Sequence, residues 1–137
     1  MNSDAELRGL EQALVADHEL VAAYLFGSFA RGSARPDSDV DVAVLYTAQA
    51  AAAPRDYLQR LARLTQAAGR DVHLVELEGA DSDLCRSIFE RGRLLFDRSD
   101  GRLAALELRK LIDYADWEYG RRVIDSAIRR KLVAAGG

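Results

Sequence analysis

The sequence predicts an α/β fold, in which a small mixed β-sheet has helices packed on it and a helical extension follows at the C-terminus. Two observations predict this class. Short apolar runs of strand length alternate with segments of helical periodicity, and the helical spacing then persists from residue 99 onward. A chain of 137 residues is long enough for one core and too short for two. We therefore expect residues 1–98 to form the core and residues 99–137 to extend the same single domain.

The first half of the chain is predicted to contain one long helix, a helical turn and two strands. Ser3 and Glu6 have the spacing of a capping box, which opens a helix whose apolar face consists of Leu7, Leu10, Leu14 and Val15. The elements that follow are a strand at 21–26, a helical turn at 28–32, a loop at 33–38 and a strand from about 39 to 46.

The second half is predicted to be mainly helical. An alanine-rich stretch at 47–53 has no clear periodicity and is interpreted as a flexible connector. Pro54 suits the first turn of a helix that ends near Gly69 and whose inner face consists of Tyr57, Leu58, Leu61 and Leu64. The later elements are a strand at 71–77, a short helix at about 81–92, a brief apolar extension at 94–96 and a long helix from 99, broken near Gly120.

The charge, the cysteine count and the apolar runs of the sequence exclude several classes of function. A net charge of −3 and a pI near 5.4 provide no basic field for duplex nucleic acid. Cys85 is the sole cysteine, which excludes an internal disulfide and a cysteine-based metal cluster, and we expect it to be a core residue. His18, at the polar end of the first helix, is expected to be solvated. No apolar run has the length of a membrane span, and residues 1–20 are not signal-like, so we expect a cytoplasmic protein.

Two carboxylates stand at the head of the second strand. Asp39 and Asp41 project from the same face because a strand alternates its side chains. Like charges side by side repel, and burying them unpaired is costly, so we expect a cation between them or full hydration. Mg²⁺ takes one or two carboxylates together with substrate phosphates and water. Two such ions would activate an attacking oxygen and stabilise a departing pyrophosphate.

A glycine-serine turn lies upstream of the carboxylates. The strand ends at Gly27, and Ser28 opens a helical turn, so free N–H groups and a hydroxyl are available with no Cβ to block close approach. This arrangement is typical of a phosphate cradle. Arg31 lies one turn further on, where a phosphate charge could reach it. Arg35 and Asp37 flank the loop proline and are interpreted either as turn residues or as a gate over this site.

Gly-Ser and Asp-x-Asp are weak signals alone, but here ten residues separate Gly27-Ser28 from Asp39-Val40-Asp41 within a strand, a turn and a second strand. The chain resembles the minimal nucleotidyltransferases (MNT) of the DNA polymerase β superfamily, whose signature is Gly-Ser-x10-Asp-x-Asp. The resemblance continues through ERGRLLF at residues 90–96 and into the C-terminal helices, so it covers nearly the whole chain. Within the family the chain most resembles the antitoxins paired with HEPN ribonuclease toxins.

The resemblance implies a reaction, a cofactor and a partner. The reaction is transfer of AMP from ATP to a hydroxyl, which in those antitoxins belongs to a tyrosine of the toxin. By the motif, Gly27 and Ser28 would hold the triphosphate, and Asp39 and Asp41 would ligate Mg²⁺. The partner would be a HEPN-type toxin in a hetero-oligomer.

One position departs from the family pattern. The superfamily places a third carboxylate on a neighbouring strand, where related antitoxins read Val-Asp-Leu-Val-Asp-Leu and this chain reads VHLVEL at 72–77. In direct register His73 occupies the carboxylate's position. Asp71 lies two residues earlier on the same face, whereas Glu76 has the wrong parity.

Three outcomes are open at this position. Asp71 reaches the metal, His73 acts as ligand or base, or the third group is missing and activity is weak. Imidazole is a poorer Mg²⁺ ligand than carboxylate, although it titrates near neutral pH as a general base should. We favour partial compensation by Asp71.

The C-terminal segment combines positive charge with aromatic residues. Residues 102–131 hold eight basic and five acidic side chains, a net charge of +3 in an otherwise acidic chain. Charged helix faces are usually solvated, but aromatic residues beside arginine are typical interface anchors. Tyr114, Trp117 and Tyr119 are therefore interpreted either as an interface or as core.

Two other functions stay open. One is an antitoxin that neutralises its toxin by binding, with little or no catalysis. The other is a nucleotidyltransferase that acts on a small molecule with an aminoglycoside-like hydroxyl. Such enzymes usually need an added domain to hold the acceptor, for which 137 residues leave no room. We therefore expect the acceptor surface to come from a partner.

Overall fold

A four-stranded sheet with helices around it makes up the part of the chain that the structure, a computed structural model, describes: residues 3–52 and 56–136. The strands are β1 (Leu20–Phe26), β2 (Val40–Tyr46), β3 (Val72–Glu76) and β4 (Arg93–Asp97). The helices are α1 (Ser3–Ala16), α2 (Gly27–Arg31), α3 (Ala48–Ala52), α4 (Tyr57–Ala68), α5 (Ser82–Arg91) and α6 (Arg102–Gly136), with a 3₁₀ turn at Leu77–Gly79.

The sheet is mixed, with strand order β3-β2-β1-β4. β1 pairs antiparallel with β2 on one side and with β4 on the other. β2 pairs parallel with β3, and α3 and α4 lie in the connection between them, because parallel neighbours require a crossover. The predicted α/β class with a small mixed sheet and helices packed on it is confirmed.

Helices cover both faces of the sheet. α1 and α4 pack on one face, where Leu14 and Leu64 are buried against the strands, while α5 and the start of α6 pack on the other through Ile88 and Leu103. Each fully buried side chain of this size contributes about 1.5–3 kcal/mol of transfer free energy. Because both faces are occupied by apolar contacts, the charged side chains of the strands lie near the strand ends.

A buried arginine, which no sequence pattern singled out, lies at the end of the sheet where β2 finishes. Arg60 of α4 is only 3% exposed, and its Nε donates to Oδ2 of Asp17 at 2.6 Å. Its guanidinium carbon lies 5.0 Å from the centroid of the Tyr46 ring. Burial alone would raise the pKa of Asp17, but the hydrogen bonds from Arg60 and from the N–H of Glu19 hold it below the ordinary 3.8. Burial and a hydrogen bond with Glu76 raise the pKa of Tyr46 to about 12.

The alanine-rich stretch after β2 is helical rather than the flexible connector that the sequence predicted. The hydroxyl of Thr47 accepts the N–H of Ala50 at 3.0 Å, so a threonine caps α3. Ala50 is buried in the core. Alanine has the highest helix propensity, and a capped alanine run needs no apolar periodicity to form one turn.

α4 begins at a cap that the sequence did not predict. The Asp56 carboxylate accepts the N–H of Gln59 at 3.0 Å. Pro54, which was predicted to open this helix, lies outside the described residues, as does the side chain of Ser3 in the predicted capping box.

Two positions assigned to apolar faces are wrong. Val15 at the end of α1 is 42% exposed, and Leu58 in α4 is 75% exposed. The buried residues of α4 are Arg60, Leu64 and Ala68. The inner face of α4 therefore includes a whole arginine side chain, buried with its charge paired to Asp17, which an apolar pattern cannot reveal.

The chain ends in a strand and one continuous helix. The apolar extension predicted at 94–96 is the centre of β4. α6 runs for 35 residues without a break, so the predicted break near Gly120 is wrong. A glycine in a helix costs only about 1 kcal/mol relative to alanine, which is too little to end a helix of this length. Among the described residues no helix is long and apolar enough to cross a membrane.

The buried ion pair predicts a large effect of one substitution. Arg60→Met should lower the free energy of unfolding by about 3–5 kcal/mol, because the Asp17 carboxylate would stay buried without its partner. Arg63→Met is the matched control: the Arg63 side chain is 61% exposed and lies 3.9 Å from the same carboxylate, so its loss should cost less than about 1 kcal/mol. Urea unfolding measures both, and equal losses would contradict this role of Arg60.

The same pair fixes the sign of the acid dependence. Because the folded pKa of Asp17 lies below the unfolded value, its contribution to stability is present above pH 3.8 and is lost as the pH falls through the lowered pKa. In Arg60→Met this part of the acid destabilisation should be absent.

Candidate functional site

Three predicted site residues, Asp39, Asp41 and His73, lie on the same face of the sheet, at one end of its strands. Asp41 lies on the same face of β2 as Ala43 and Leu45, which pack beneath α5 and α6, and Asp39 precedes the strand with the same parity. His73 of β3 lies directly beside Asp41 in the parallel ladder. Asp39 and His73 are exposed and Asp41 is half-buried, so the three side chains form an open rim.

Gly27 brings the end of β1 against the Asp41 carboxylate. Its φ of +71° lies in the left-handed region that favours glycine. A Cβ on Gly27 would overlap Oδ2 of Asp41. Phe26, the preceding residue, pairs with Asp41 in the antiparallel ladder. Position 27 therefore requires glycine for two reasons: the backbone conformation is left-handed, and the Asp41 carboxylate occupies the space of a Cβ.

α2 is a single turn whose first N–H groups lack a side-chain cap. Phe26 stands at the N-cap position and makes no side-chain hydrogen bond to the turn. Ser28 is half-buried at the start of the turn, and Arg31 is exposed at its end. Gly32, with φ of 72°, closes the turn in the left-handed conformation. The uncapped start of this turn therefore lies beside the Asp41 carboxylate.

His73 contacts Asp41 directly. Its Nδ1 lies 3.1 Å from Oδ1 of Asp41, and its ring lies 6.3 Å from the Phe26 ring, centroid to centroid. These two contacts hold the imidazole in one orientation. The His73 side chain is nevertheless 60% exposed, so an incoming group can reach the ring.

Two acidic residues flank His73: Asp71 lies just before β3, and Glu76 is the last residue of β3. Asp71 lies two residues before His73 and is exposed, and its carbonyl accepts the N–H of Val40 at 3.0 Å. Whether its carboxylate reaches a metal stays a prediction. Glu76 interacts with Tyr46 and lies far along the strand with the opposite parity, as predicted.

Arg70 anchors the loop between α2 and Asp39, and no sequence pattern singled it out. Its guanidinium donates to three carbonyls of the loop and to the carboxylate of Glu6. Arg35 and Asp37 of this loop, interpreted as turn residues or as a gate, are exposed. An arginine before a strand has no distinctive sequence pattern, so only the tertiary contacts identify this one.

The donor set suits a hard divalent cation that is shared with a phosphate ligand. Asp39 and Asp41 offer carboxylate oxygens, the ligand type that Mg²⁺ prefers. Within the described ranges no group of three or more His, Cys, Asp or Glu side chains is arranged to hold an ion. Mg²⁺ typically uses one or two carboxylates and completes its shell with phosphate oxygens and water, so these residues fit it.

The predicted site residues lie on an open surface of the described part of the chain. An apolar cleft of about 350 Å³ between α5 and α6, lined by residues that include Phe89, Leu108 and Leu111, contains none of the site residues. The rim is open instead, with Asp39 and Arg31 both exposed.

Several residues outside the site take the positions expected of them. Cys85 is fully buried, and burial raises the pKa of its thiol, which is typical of a core cysteine. His18 is exposed, as predicted. Trp117 and Tyr119 are 54% and 71% exposed and are not core residues. Tyr114 is half-buried, with its ring centroid 4.5 Å from the Arg86 guanidinium carbon.

The fold and this rim define a class. Residues 9–101, more than half of the chain and including all four strands, match the family described as polymerase beta nucleotidyltransferase. The chain therefore belongs to the polymerase β nucleotidyltransferase family.

Particular members of the class are similar to this chain. Protein adenylyltransferase MntA of Shewanella oneidensis is 35% identical over 79 residues, which cover 53% of this chain and 51% of that protein. The chain thus spans about half the length of this curated relative. A chain in the crystal structure of a toxin–antitoxin with AMP-PNP superposes with a TM-score of 0.67 at 24% identity, covering 93% of this chain and 98% of that chain.

A second solved structure contains a tri-AMPylated Shewanella oneidensis HEPN toxin in complex with an MNT antitoxin. The matching chain has a TM-score of 0.63 at 23% identity, and the alignment covers 90% of this chain and 98% of that chain. At these identities the superpositions show that the fold is shared over nearly the whole chain.

The contact between Gly27 and Asp41 predicts a specific sensitivity to a methyl group. If the rim binds ATP with Mg²⁺, Gly27→Ala should weaken that binding by about tenfold or more, equivalent to about 1.4 kcal/mol, because the new Cβ displaces the Asp41 carboxylate. Gly32→Ala is the matched control, since Gly32 has a φ of +72° and no atom within 4 Å of its ideal Cβ. Calorimetric titration measures the affinities. If both variants lost affinity equally, backbone strain rather than the carboxylate contact would be the cause.

Proposed function

We propose that this chain is a Mg²⁺-dependent nucleotidyltransferase of the antitoxin type, which transfers AMP from ATP to a hydroxyl of a partner HEPN toxin in the cytoplasm. The observation that carries the proposal is the packing of Asp41 against Gly27, because it joins a carboxylate pair to a turn with uncapped N–H groups. Membership of the nucleotidyltransferase family and 35% identity to a protein adenylyltransferase support it.

The residues of the turn and of β2 have separate tasks in this proposal. The N–H groups and hydroxyl at Gly27 and Ser28 bind triphosphate oxygens. Arg31, exposed at the end of the same turn, adds positive charge for a phosphate. Asp39 and Asp41 hold Mg²⁺, which when bound offsets phosphate charge and favours ionisation of the attacking hydroxyl.

The transfer step exchanges one bond to phosphorus for another. The acceptor hydroxyl oxygen bonds to the α-phosphorus of ATP, the bond from that phosphorus to the bridging oxygen breaks, and pyrophosphate leaves. The hydroxyl proton passes to a base. His73 is one candidate because Asp41 orients its exposed ring, and Asp71, on the same face of the chain, is the other.

The open shape of the rim and the exposed surface of α6 both favour an acceptor hydroxyl that belongs to a protein. The rim is open, so an acceptor side chain can approach it on a partner's surface. Every side chain from residue 121 to 133 is exposed, and large exposed apolar surfaces typically mark protein interaction sites. The apolar side chains in this part of α6 are Val123, Ile124, Ile128, Leu132 and Val133.

We accordingly assign the transfer site to residues 1–98 and partner binding to residues 99–137. The partner is a HEPN-type toxin, the acceptor is a tyrosine hydroxyl, and the assembly is a hetero-oligomer. The support is that similar chains occur in structures of a toxin–antitoxin with AMP-PNP and of a tri-AMPylated HEPN toxin with an MNT antitoxin.

One observation favours a second function, an antitoxin that acts by binding alone. Histidine rather than carboxylate stands beside Asp41 at position 73, and imidazole is a weak ligand for Mg²⁺. A binding antitoxin would need α6 and not the rim. No specific observation favours the small-molecule transferase, since the apolar cleft lies away from the site residues.

The carboxylate pair provides the test of catalysis. We expect Asp39→Asn combined with Asp41→Asn to abolish transfer of label from α-³²P-ATP to the neighbouring gene's product. Partner binding and the melting temperature should be retained, because the change removes repulsion between like charges. Asp83→Asn on the exposed side of α5 is the matched control and should transfer AMP at the wild-type rate. Transfer by the double variant at that rate would contradict the mechanism, whereas partner binding without transfer by the wild type would establish the binding antitoxin.

Position 73 provides a gain-of-function prediction. His73→Asp adds a hard oxygen ligand beside Asp41, so AMP transfer should rise by about tenfold, which requires about 1.4 kcal/mol of extra transition-state stabilisation. If Asp71 compensates in the wild type, Asp71→Asn should cost more activity than His73→Ala. If both His73→Asp and His73→Ala are slower than the wild type, the histidine has a role that a carboxylate cannot fill. Initial rates at saturating ATP distinguish these cases.

A further inference from the structure

We propose that Arg70 is a positioning residue, which clamps the loop at 33–38 and thereby fixes Asp39 relative to the phosphate-binding turn. This inference rests on the proposed function for its effect on activity. The clamp itself is a statement about contacts in the fold, and it can be tested without any catalytic assay.

Arg70 holds the loop through its backbone. Its Nη1 donates to the carbonyls of Arg35, Pro36 and Ser38 at 3.4, 3.2 and 3.2 Å. The Ser38 carbonyl belongs to the peptide bond that leads into Asp39. One nitrogen thus fixes the backbone immediately before the first carboxylate of the site.

The remainder of the guanidinium is attached to two other elements. Nε and Nη2 bind Oε2 of Glu6 in α1 at 2.8 and 2.6 Å. The guanidinium carbon also lies 4.9 Å from the centroid of the Phe29 ring, and Phe29 belongs to α2, two residues after Gly27. Arg70 therefore contacts both parts of the site, which are the phosphate-binding turn and the loop that leads into Asp39.

The geometry assigns Arg70 a positioning role and not phosphate binding. Its side chain is 10% exposed and that of Glu6 is 14% exposed, so its charge is already paired within the fold. This positioning role requires arginine rather than lysine. A guanidinium presents several donors in a rigid fork and stacks on aromatic rings, whereas the lysine ammonium is a compact point charge. A lysine could reach Glu6 or the loop carbonyls but not hold both.

Backbone hydrogen bonds anchor the two ends of the loop, from Ser33 to Ser28 and from Val40 to Asp71, and Arg70 holds the carbonyls between them. The Ser38 hydroxyl accepts the N–H of Arg35 at 2.7 Å, and the Ser38 N–H donates to the carbonyl of Arg35 at 3.0 Å. These bonds fix the shape of the turn but not its place on the sheet. Loosening the clamp should therefore make this turn open more often, which misplaces Asp39 and exposes the Ser38 N–H to exchange, while the core persists.

The chain contains a matched control at the other end of β1. Arg98 also stacks on an aromatic ring, 4.9 Å from the Phe96 centroid, and donates to backbone carbonyls of Leu20 and Asp17 at 3.0–3.1 Å. It has the same chemistry as Arg70, but it lies where β1 begins rather than where β1 meets the site. Arg98→Lys therefore reports the general cost of losing such a clamp.

The experiment compares Arg70→Lys, Arg98→Lys and the wild type by hydrogen exchange and by AMP-transfer kinetics. In Arg70→Lys we expect the Ser38 amide to exchange about tenfold faster or more, with the amides of β1 unchanged. We expect kcat to fall by about tenfold to a hundredfold, because small displacements at a reacting centre are costly, while KM for ATP changes less. In Arg98→Lys kcat and Ser38 exchange should match the wild type even if the melting temperature falls.

Two results would overturn the inference. One is unchanged Ser38 exchange in a folded Arg70→Lys variant. The other is an equal fall of kcat in Arg98→Lys, which would indicate a general stability effect. If the wild type transfers no AMP, the proposed function fails, whereas the exchange measurement still decides the clamp.

Discussion

The site depends on the packing of the Asp41 carboxylate against the α-carbon of Gly27. Side-chain oxygen and backbone can approach this closely only where there is no Cβ, and the positive φ of Gly27 turns the chain from β1 into α2 at that point. The antiparallel pairing of Phe26 with Asp41 brings the two strands into this register. Uncapped N–H groups and carboxylates, which favour opposite charges in a ligand, thus share one small region.

The two ends of the sheet have different roles. Where β2 ends, Arg60 is buried in an ion pair with Asp17 and closes the core. Where β2 begins, Asp41 stays half-buried next to Gly27 and His73, so its charge remains available to a ligand. Helices cover the middle of both faces, which leaves this rim as the place where strand carboxylates meet solvent. The buried ion pair and the proposed site thereby lie at opposite ends of β2.

Much of this arrangement could be predicted from the sequence, because strand parity is a local property. The two-residue spacing of Asp39 and Asp41 fixes their common face, and the same parity separates His73 from Glu76. Arg60 and Arg70 could not be found this way, since a buried arginine depends on partners that are distant in the chain.

Local energetics also misled the sequence predictions in two places. The alanine run after Thr47 has no apolar face, yet a cap and high propensity make it helical. Gly120 was expected to break α6, but the cost of one glycine is small beside the favourable residues around it.

If ATP and its cation bind at the rim, Mn²⁺ in place of Mg²⁺ should broaden the amide resonances of Ser28, Asp41 and His73 only when ATP is present, while those of residues 121–133 stay sharp. Broadening centred on any other part of the chain, or no ATP-dependent broadening at all, would contradict the assignment of this rim as the nucleotide site.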